Sequence, residues 1–141
     1  MSPVNIEKIT DLIAEVQKAK EQLKSYSLVP TEVVLGSMEK MNSIKYLFIV
    51  CIEACIDICQ HVSAKMFQET PESYGGCFDV LSNKGAIPDS LGRQMAELAR
   101  FRNLLVHLYW KVDDRRVIEN LSRIGTLEEY AKCIADYLKI R

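Results

Sequence analysis

Apolar residues recur at every third or fourth position along most of the chain, and no segment alternates for long between apolar and polar positions. A period of about 3.6 residues is that of an amphipathic α-helix. The clearest stripes predict a first helix from Val4 to Tyr26 and a longer helix that starts at Thr31 or Ser37 and runs to Gln68. The chain is therefore predicted to be all-α.

Turn-forming residues divide the second half of the chain into shorter helices. Thr126 and Glu129 form a T-x-x-E capping box for the last of them. The predicted segments are a new start at Thr70 and Pro71, a short helix from Cys77 to Leu81, a helix from Ser90 to Tyr109, a segment from Asp113 to Arg123 and a last helix through Ile140. We predict one domain over residues 1–141, an up-and-down helical bundle with four main helices and one or two short ones.

Composition changes the predicted fold little, but it excludes some classes of function. Hydrophobic residues make up 48% of the chain and charged residues 26%, which is ordinary for a soluble globular protein. The formal net charge is −1, so the protein lacks the global basic field of a general nucleic-acid coat protein. Any activity on nucleic acid is expected to come from a local patch.

The expected location is the cytoplasm, without a membrane span. The first residues, MSPVNIEKITD, lack the basic and then apolar regions of a signal peptide. The longest apolar run, YLFIVCIEACIDIC, is interrupted by Glu53 and Asp57, and we expect it to be too short and too charged to cross a bilayer. The five cysteines form no C-x-x-C pair, which favours a reducing compartment and free thiols.

The stretch RNLLVHLYW, from Arg102 to Trp110, carries the candidate chemistry. On one helix its polar side chains are expected to share a face, opposite an apolar face. An arginine offers a planar fork of donors that fits a phosphate, and a histidine exchanges protons near neutral pH. This set suits a phosphodiester and is poor for a metal ion. The alternative interpretation is a hydrogen-bonded cluster at a helix interface. The polar residues are Arg102, Asn103, His107 and Tyr109, and the apolar ones are Phe101, Leu104, Leu105 and Leu108.

Three cysteines at four-residue spacing, Cys51, Cys55 and Cys59, lie on one face of the long helix. Core packing is the expected role, because free cysteine behaves as a small buried hydrophobe. A metal site with the nearby His61 is the alternative. His61 itself is expected at a helix surface.

Two acidic residues, Glu53 and Asp57, lie on the most apolar predicted helix, where a carboxylate is costly unless it is paired or faces a cleft. One interpretation is a salt bridge or an exposed edge. The other is that they line a cleft and orient Arg102 or His107. Three cations after the motif are expected in a solvated turn, with an RNA-binding rim as the alternative: Lys111, Arg115 and Arg116.

The string RNLLVHLY resembles R-x-x-x-x-H-x-Y, the signature of HepT-like toxins in the HEPN superfamily of ribonucleases. The resemblance extends beyond the motif. IEACIDICQHV is similar to that family's long helix, and PESYGGCFDVLSNKGAIPDSL is similar to its connector. RFRNLLVHLYWKVDDRRVIENL resembles its core helix and the turn after it. Together these segments cover nearly the whole chain in the expected order.

This resemblance implies a HEPN-fold homodimer whose motif helices build a composite cleft for metal-independent cleavage of RNA, with tRNA as the more specific expectation and DNA not expected. Neither a metal nor another cofactor is implied. His107 is expected to act as general base or acid, Arg102 to hold the scissile phosphate and Asn103 to position His107 or a phosphate oxygen. Cleavage needs two proton transfers, and a symmetric dimer brings two copies of His107.

The resemblance also implies a type VII toxin–antitoxin system. There, an MntA-like nucleotidyltransferase antitoxin attaches AMP to the motif tyrosine, here Tyr109. The added phosphate is expected to compete with RNA for Arg102 and to block the cleft. The alternative function is a non-catalytic accessory subunit of a nucleotidyltransferase, which binds a nucleotide or a protein.

Overall fold

The chain forms a helical bundle in the computed structural model, which describes residues 3–140; Met1, Ser2 and Arg141, the ends of the predicted domain, lie outside them. These residues form helices and no strand, so the all-α prediction is confirmed. The α-helices are α1 (Ile6–Ser27), α2 (Thr31–Leu35), α3 (Met38–Phe67), α4 (Tyr74–Asn83), α5 (Asp89–His107), α6 (Asp114–Glu119) and α7 (Ile124–Tyr137), with 3₁₀ turns at Tyr109–Lys111 and Asn120–Arg123.

The bundle is built around α3, which packs against α1, α4, α5 and α7. The four long helices are α1, α3, α5 and α7, as predicted, and three shorter α-helices accompany them within residues 3–140 rather than one or two. Both starts considered for the second helix are used. Thr31 begins α2, and Ser37 caps α3 by accepting a hydrogen bond from the Lys40 backbone N–H. One hydrophobic core connects the helices, while the single-domain organisation stays a prediction.

The α3 cysteines lie in this core, as predicted. Cys51, Cys55 and Cys59 are fully buried and unpaired. The buried Tyr130 of α7 donates its hydroxyl hydrogen bond to the Cys55 carbonyl oxygen at 3.0 Å. Its ring meets that of Phe78 from α4 edge to face, with 5.6 Å between the centroids. The three thiols therefore serve as small apolar side chains where α3 packs against its neighbours, and Cys51 among them contacts the Val16 carbonyl of α1.

The predicted exclusion of a membrane span by length is wrong. Helix α3 has 30 residues, and by length and composition alone it is apolar enough to cross a bilayer. Within the fold, however, 61% of its most apolar window is buried against other helices. A helix that is apolar nearly all round is expected at the centre of a bundle, so the packing of α3 accounts for its composition.

Two predicted helix starts are wrong. Helix α4 begins at Tyr74, three residues before the predicted Cys77 and after the new start predicted at Thr70 and Pro71, because Ser73 accepts the Gly76 backbone N–H at 2.9 Å and forms the cap there. Helix α7 begins at Ile124, which places Thr126 inside it. The Thr126 hydroxyl donates to Gln94 Oε1 of α5 at 2.9 Å, so the predicted capping box does not form. For Thr126, a hydrogen bond to Gln94 of another helix thus replaces the predicted local one within the capping box.

Candidate active site at the end of helix α5

Helix α5 ends at His107, two residues earlier than predicted. Leu108 leaves the helical region, with φ −129° and ψ 37°, and Tyr109 begins a 3₁₀ turn that the Lys111 backbone N–H closes by donating to the Leu108 carbonyl at 2.8 Å. Tyr109 therefore does not lie on the helix that carries Arg102. The contacts of Tyr109 with α3, described below, stabilise this turn.

The motif residues on α5 diverge around the helix axis. Arg102 and His107 are five residues apart, which corresponds to about 140° on an α-helix. The Arg102 side chain is 15% exposed and points between α3 and α4, whereas His107 is exposed at the last position of α5. The prediction that Arg102, Asn103, His107 and Tyr109 share one face is therefore wrong for a single chain.

Arg102 is held by three side chains from three helices. Its Nε and Nη2 atoms donate to Glu53 Oε1 of α3 at 3.3 and 2.7 Å, and its Nη1 atom donates to Asn103 Oδ1 at 2.9 Å. The carbon at the centre of its guanidinium lies 5.6 Å from the ring centroid of Tyr74, the first residue of α4. A guanidinium has five N–H donors, so two remain for a ligand.

Both interpretations of the acidic pair, a salt bridge and the orientation of Arg102, therefore hold for Glu53. It forms a salt bridge, and its partner is Arg102. Asp57, one turn further along α3, is exposed and forms no ion pair with any described residue. Partial burial of its carboxyl, followed by the negative charge of Glu53, raises the pKa of Asp57, while Lys8 and Arg102 oppose that rise. The carboxylate nearest to Arg102 is thus a fixed partner, and the second one adds negative charge beside it.

Asn103 lies between Arg102 and His107 around the helix. Its Oδ1 atom is engaged by Arg102, so in this arrangement Asn103 positions the arginine rather than the histidine. Its amide nitrogen remains a donor for a bound group. The assignment of Asn103 to His107 or to a phosphate oxygen stays a prediction.

Tyr109 lies against the beginning of α3. Its hydroxyl donates to Asn42 Oδ1 at 2.7 Å, and the Lys45 ammonium lies 4.7 Å from the centroid of its ring. Lys45 also forms an ion pair with Asp114 at 3.0 Å. The tyrosine remains 38% exposed, so its hydroxyl edge is accessible once the bond to Asn42 is released.

Apolar side chains surround the motif on the surface. Val106 is 40% exposed, Leu108 39% and Trp110 75%. Exposed apolar residues that cluster beside polar ones are typical of an interaction surface. The end of α5 thus combines polar groups suited to chemistry with surface suited to a partner.

The remaining sequence candidates have structural roles or lie elsewhere. His61 is partly buried, not simply at the surface, and its Nε2 atom accepts the Asn5 backbone N–H at 3.0 Å. Burial, with the nearby Lys8 and Lys65, lowers the pKa of His61. Arg115 pairs with Glu32 at 3.4 Å. Over residues 3–140, three or more His, Cys, Asp or Glu side chains nowhere converge in a way that holds a metal ion.

Sequence reasoning missed three residues of this region: Tyr74, Asn42 and Lys45. Tyr74 stands in the stretch PESYGG of the connector, which contains no motif that indicates a contact with Arg102. Asn42 and Lys45 are polar positions near the start of α3, separated from Tyr109 by more than sixty residues. Their position on an otherwise apolar helix marks Asn42 and Lys45 as unusual, but the sequence does not indicate that their partner is Tyr109.

The same fold occurs in solved structures of low sequence identity. The tri-AMPylated HEPN toxin of Shewanella oneidensis, solved in complex with the MNT antitoxin, superimposes with a TM-score of 0.84 at 20% identity, over 92% of this chain and 97% of that one. The Bacillus subtilis protein YutE, a cytosolic protein of unknown function, superimposes with a TM-score of 0.80 at 20% identity, over 99% and 94%. These likenesses define the class: an all-α protein with the HEPN fold.

The sequence then identifies the family. The profile described as ribonuclease HepT-like matches residues 6–134, and the chain belongs to this HepT-like family. The tRNA nuclease HepT of Aphanizomenon flos-aquae is 26% identical over 139 residues, which cover 98% of this chain and 92% of that protein. The mRNA nuclease HepT of S. oneidensis is 30% identical over 63 residues, so this match spans about half of each protein: 45% of this chain and 47% of the relative. The resemblance inferred from the motif is confirmed.

Proposed function

We propose that the protein is a metal-independent endoribonuclease, the toxin component of a type VII toxin–antitoxin system in the cytoplasm. One observation carries the proposal: α5 presents both a phosphate-binding group and an exposed imidazole. Arg102 is held in place by Glu53, Asn103 and Tyr74, and His107 follows it by five residues. Family membership supports RNA as the substrate. The five free thiols fit a reducing compartment.

The reaction needs no metal ion if these side chains carry it. His107 removes the proton from a ribose 2′-hydroxyl, and the 2′-oxygen attacks the adjacent phosphorus. The bond between phosphorus and the 5′-oxygen breaks, and an imidazolium protonates that leaving oxygen. The two free N–H groups of Arg102 stabilise the charge that develops on the phosphate. The products are a 2′,3′-cyclic phosphate and a 5′-hydroxyl.

A homodimer supplies what one chain lacks. Two proton transfers need a base and an acid, and each chain has one motif histidine. The divergence of Arg102 and His107 by about 140° also supports a composite cleft, in which the arginine of one copy works with the histidine of the other. Val106, Leu108 and Trp110 provide exposed apolar surface beside the motif for the second copy.

We expect the purified protein to cleave tRNA in the presence of EDTA and to leave cyclic phosphate ends. The relative that aligns along 98% of this chain is named a tRNA nuclease, whereas the one with a partial match is named an mRNA nuclease. Total tRNA and an mRNA of similar length are therefore incubated side by side, and product ends are mapped. Cleavage that requires added Mg²⁺, or 3′-hydroxyl products, contradicts the proposed chemistry.

Regulation is proposed to act through Tyr109, with a MntA-like nucleotidyltransferase antitoxin as the partner. One solved structure that superimposes with this chain is a tri-AMPylated HEPN toxin bound to an MNT antitoxin. AMP joined to the Tyr109 hydroxyl adds a phosphodiester charge and a bulky nucleoside to the surface at the end of α5. The phosphate competes with RNA for the cations there, and the nucleoside blocks access.

Tyr109→Phe is expected to abolish AMP addition by the antitoxin while cleavage is retained. The phenylalanine keeps the ring over Lys45 and loses only the hydrogen bond to Asn42, which is exposed and contributes about 0.5–1.5 kcal/mol. Intact-mass spectrometry after incubation with the antitoxin and ATP measures the modification. Tyr46→Phe, at an exposed tyrosine of α3, is the matched control and should accept AMP as the wild type does. An AMP adduct on the Tyr109→Phe variant contradicts the assignment.

A nucleotide- or protein-binding accessory subunit is the second candidate, and one observation favours it. The ion pair with Glu53 already compensates part of the Arg102 charge, as suits a structural arginine. An unmodified protein, confirmed by intact mass, that binds a nucleotidyltransferase but cleaves neither tRNA nor mRNA supports this function over the nuclease.

A further inference from the structure

A pocket of about 670 Å³ lies between α5, α6 and the second 3₁₀ turn. Three arginines from these three elements line it: Arg100, Arg116 and Arg123. The chain as a whole carries a net charge of −1, so the convergence of three guanidinium groups does not reflect a general excess of basic residues. An anionic ligand is the chemistry that such a pocket fits.

The three arginines are not equivalent. Arg123 is paired with Glu97 at 2.6 Å, which holds it in place and compensates its charge. Arg100 and Arg116 are exposed, and within residues 3–140 neither forms an ion pair. Asn120 donates from its amide nitrogen to the Arg116 carbonyl at 2.8 Å and thereby ties the end of α6 to the turn. The exposed carboxylate of Glu119 also lines the pocket and weakens its positive field.

The pocket lies on the face of α5 that carries His107. Arg100 precedes His107 by seven residues, which is two helical turns, about 10.5 Å along the axis and within about 20° around it. Arg102, in contrast, points away from this face toward Glu53. A strand whose scissile phosphate sits at His107 thus reaches Arg100 and the pocket by following a single surface of the helix.

We propose that this pocket binds a backbone phosphate of the RNA substrate, next to the phosphate at which the strand is cleaved. Arg100 and Arg116 bind this phosphate, and Arg123, held by Glu97, forms one side of the pocket. The inference rests on the proposed ribonuclease function and adds a substrate-binding site to it. RNA is favoured over an acidic protein surface as the ligand. The reason is that the unpaired Arg100 and Arg116 lie on the same exposed side of the bundle as His107, the proposed catalytic residue.

The test compares RNA affinity and its salt dependence between variants. Binding of a labelled single-stranded RNA is measured in the His107→Ala background, in which cleavage is expected to be slow. Arg100→Gln with Arg116→Gln is expected to weaken binding by about 10- to 100-fold at low salt, because two charge-assisted phosphate contacts are lost. The slope of log affinity against log salt should fall by about 1.4, since each contact to a single strand contributes about 0.7.

Two further variants separate the pocket from general charge effects. Lys18→Gln with Lys24→Gln removes the same charge from α1, which contributes no residue to the pocket, and should leave affinity and slope nearly unchanged. Glu119→Gln removes the opposing carboxylate and should tighten binding about twofold to fivefold. Thermal unfolding of each variant verifies that the fold is retained.

With His107 present, the paired arginine substitutions should raise KM for RNA and leave kcat nearly unchanged. Wild-type cleavage with unchanged KM and affinity in that variant overturns this inference and leaves the ribonuclease function intact. A wild type that neither binds nor cleaves RNA overturns the function and the inference together. Unchanged RNA affinity with lost binding of the nucleotidyltransferase overturns the RNA site in favour of a protein contact.

Discussion

Replacing His107 with alanine is expected to reduce RNA cleavage by about 10²- to 10⁴-fold, the contribution that a positioned general acid or base makes. The effect should appear in kcat more than in KM, because the imidazole moves protons in the transition state and contributes little to binding of the ground state. His107 is exposed at the last position of α5, so the free energy of unfolding should change by less than about 0.5 kcal/mol. Single-turnover cleavage of tRNA measures the effect.

His61→Ala provides the matched control, because it makes the same substitution at the only other histidine of the chain. His61 accepts a hydrogen bond from the Asn5 backbone and lies on α3, so its loss affects the start of α1 rather than the motif. Full activity of the His61 variant beside an inactive His107 variant supports the assignment. Cleavage that survives in His107→Ala removes this residue from the mechanism.

Arg102→Lys is expected to lower kcat by about 10²- to 10³-fold, comparable to the loss of one donor from a site that stabilises transition-state charge. Lysine keeps the positive charge but lacks the planar fork, so it cannot bind Glu53 and Asn103 and still present two donors to a phosphate. Glu53 is 42% exposed and remains hydrated after the substitution, which limits the cost to stability. The same single-turnover assay measures kcat, and thermal unfolding measures stability.

Two comparisons test whether cleavage depends on the planar guanidinium of Arg102. Arg115→Lys makes the same change in a surface ion pair with Glu32 and should retain activity. Glu53→Gln leaves the guanidinium in place but weakens its anchor, so a smaller loss of kcat is expected than in Arg102→Lys. Equal activity of wild type and Arg102→Lys indicates that the guanidinium has a structural role only.

Mixing the two inactive variants tests the composite cleft. A heterodimer of Arg102→Lys and His107→Ala retains one intact arginine and one intact histidine on different chains. Partial recovery of cleavage is expected if Arg102 and His107 act across the dimer, as their divergence on α5 suggests. The heterodimer lacks the second His107 of the wild-type dimer, so no recovery, with heterodimers demonstrated by native mass spectrometry, shows that one cross-chain pair of Arg102 and His107 is not sufficient for cleavage.

The fold could be predicted from local patterns because helix periodicity and capping depend on residues within a few positions of each other. The stripe of α1 and the apolar α3 were found in this way, with ends displaced by one or two residues. The motif drew attention to Arg102, His107 and Tyr109 because these residue types are uncommon together on a helix. Its spacing did not determine which of them meet.

The sequence by itself therefore determined the all-α class, the burial of the α3 cysteines and the family, since each depends on residue types and short spacings. Only the tertiary structure decided that Arg102 binds Glu53 and stacks on Tyr74, and that Tyr109 leaves α5 to reach Asn42. It also decided that Arg100, Arg116 and Arg123 line one pocket. These contacts join helices far apart in the chain, and they follow from how the helices cross, which local periodicity does not specify.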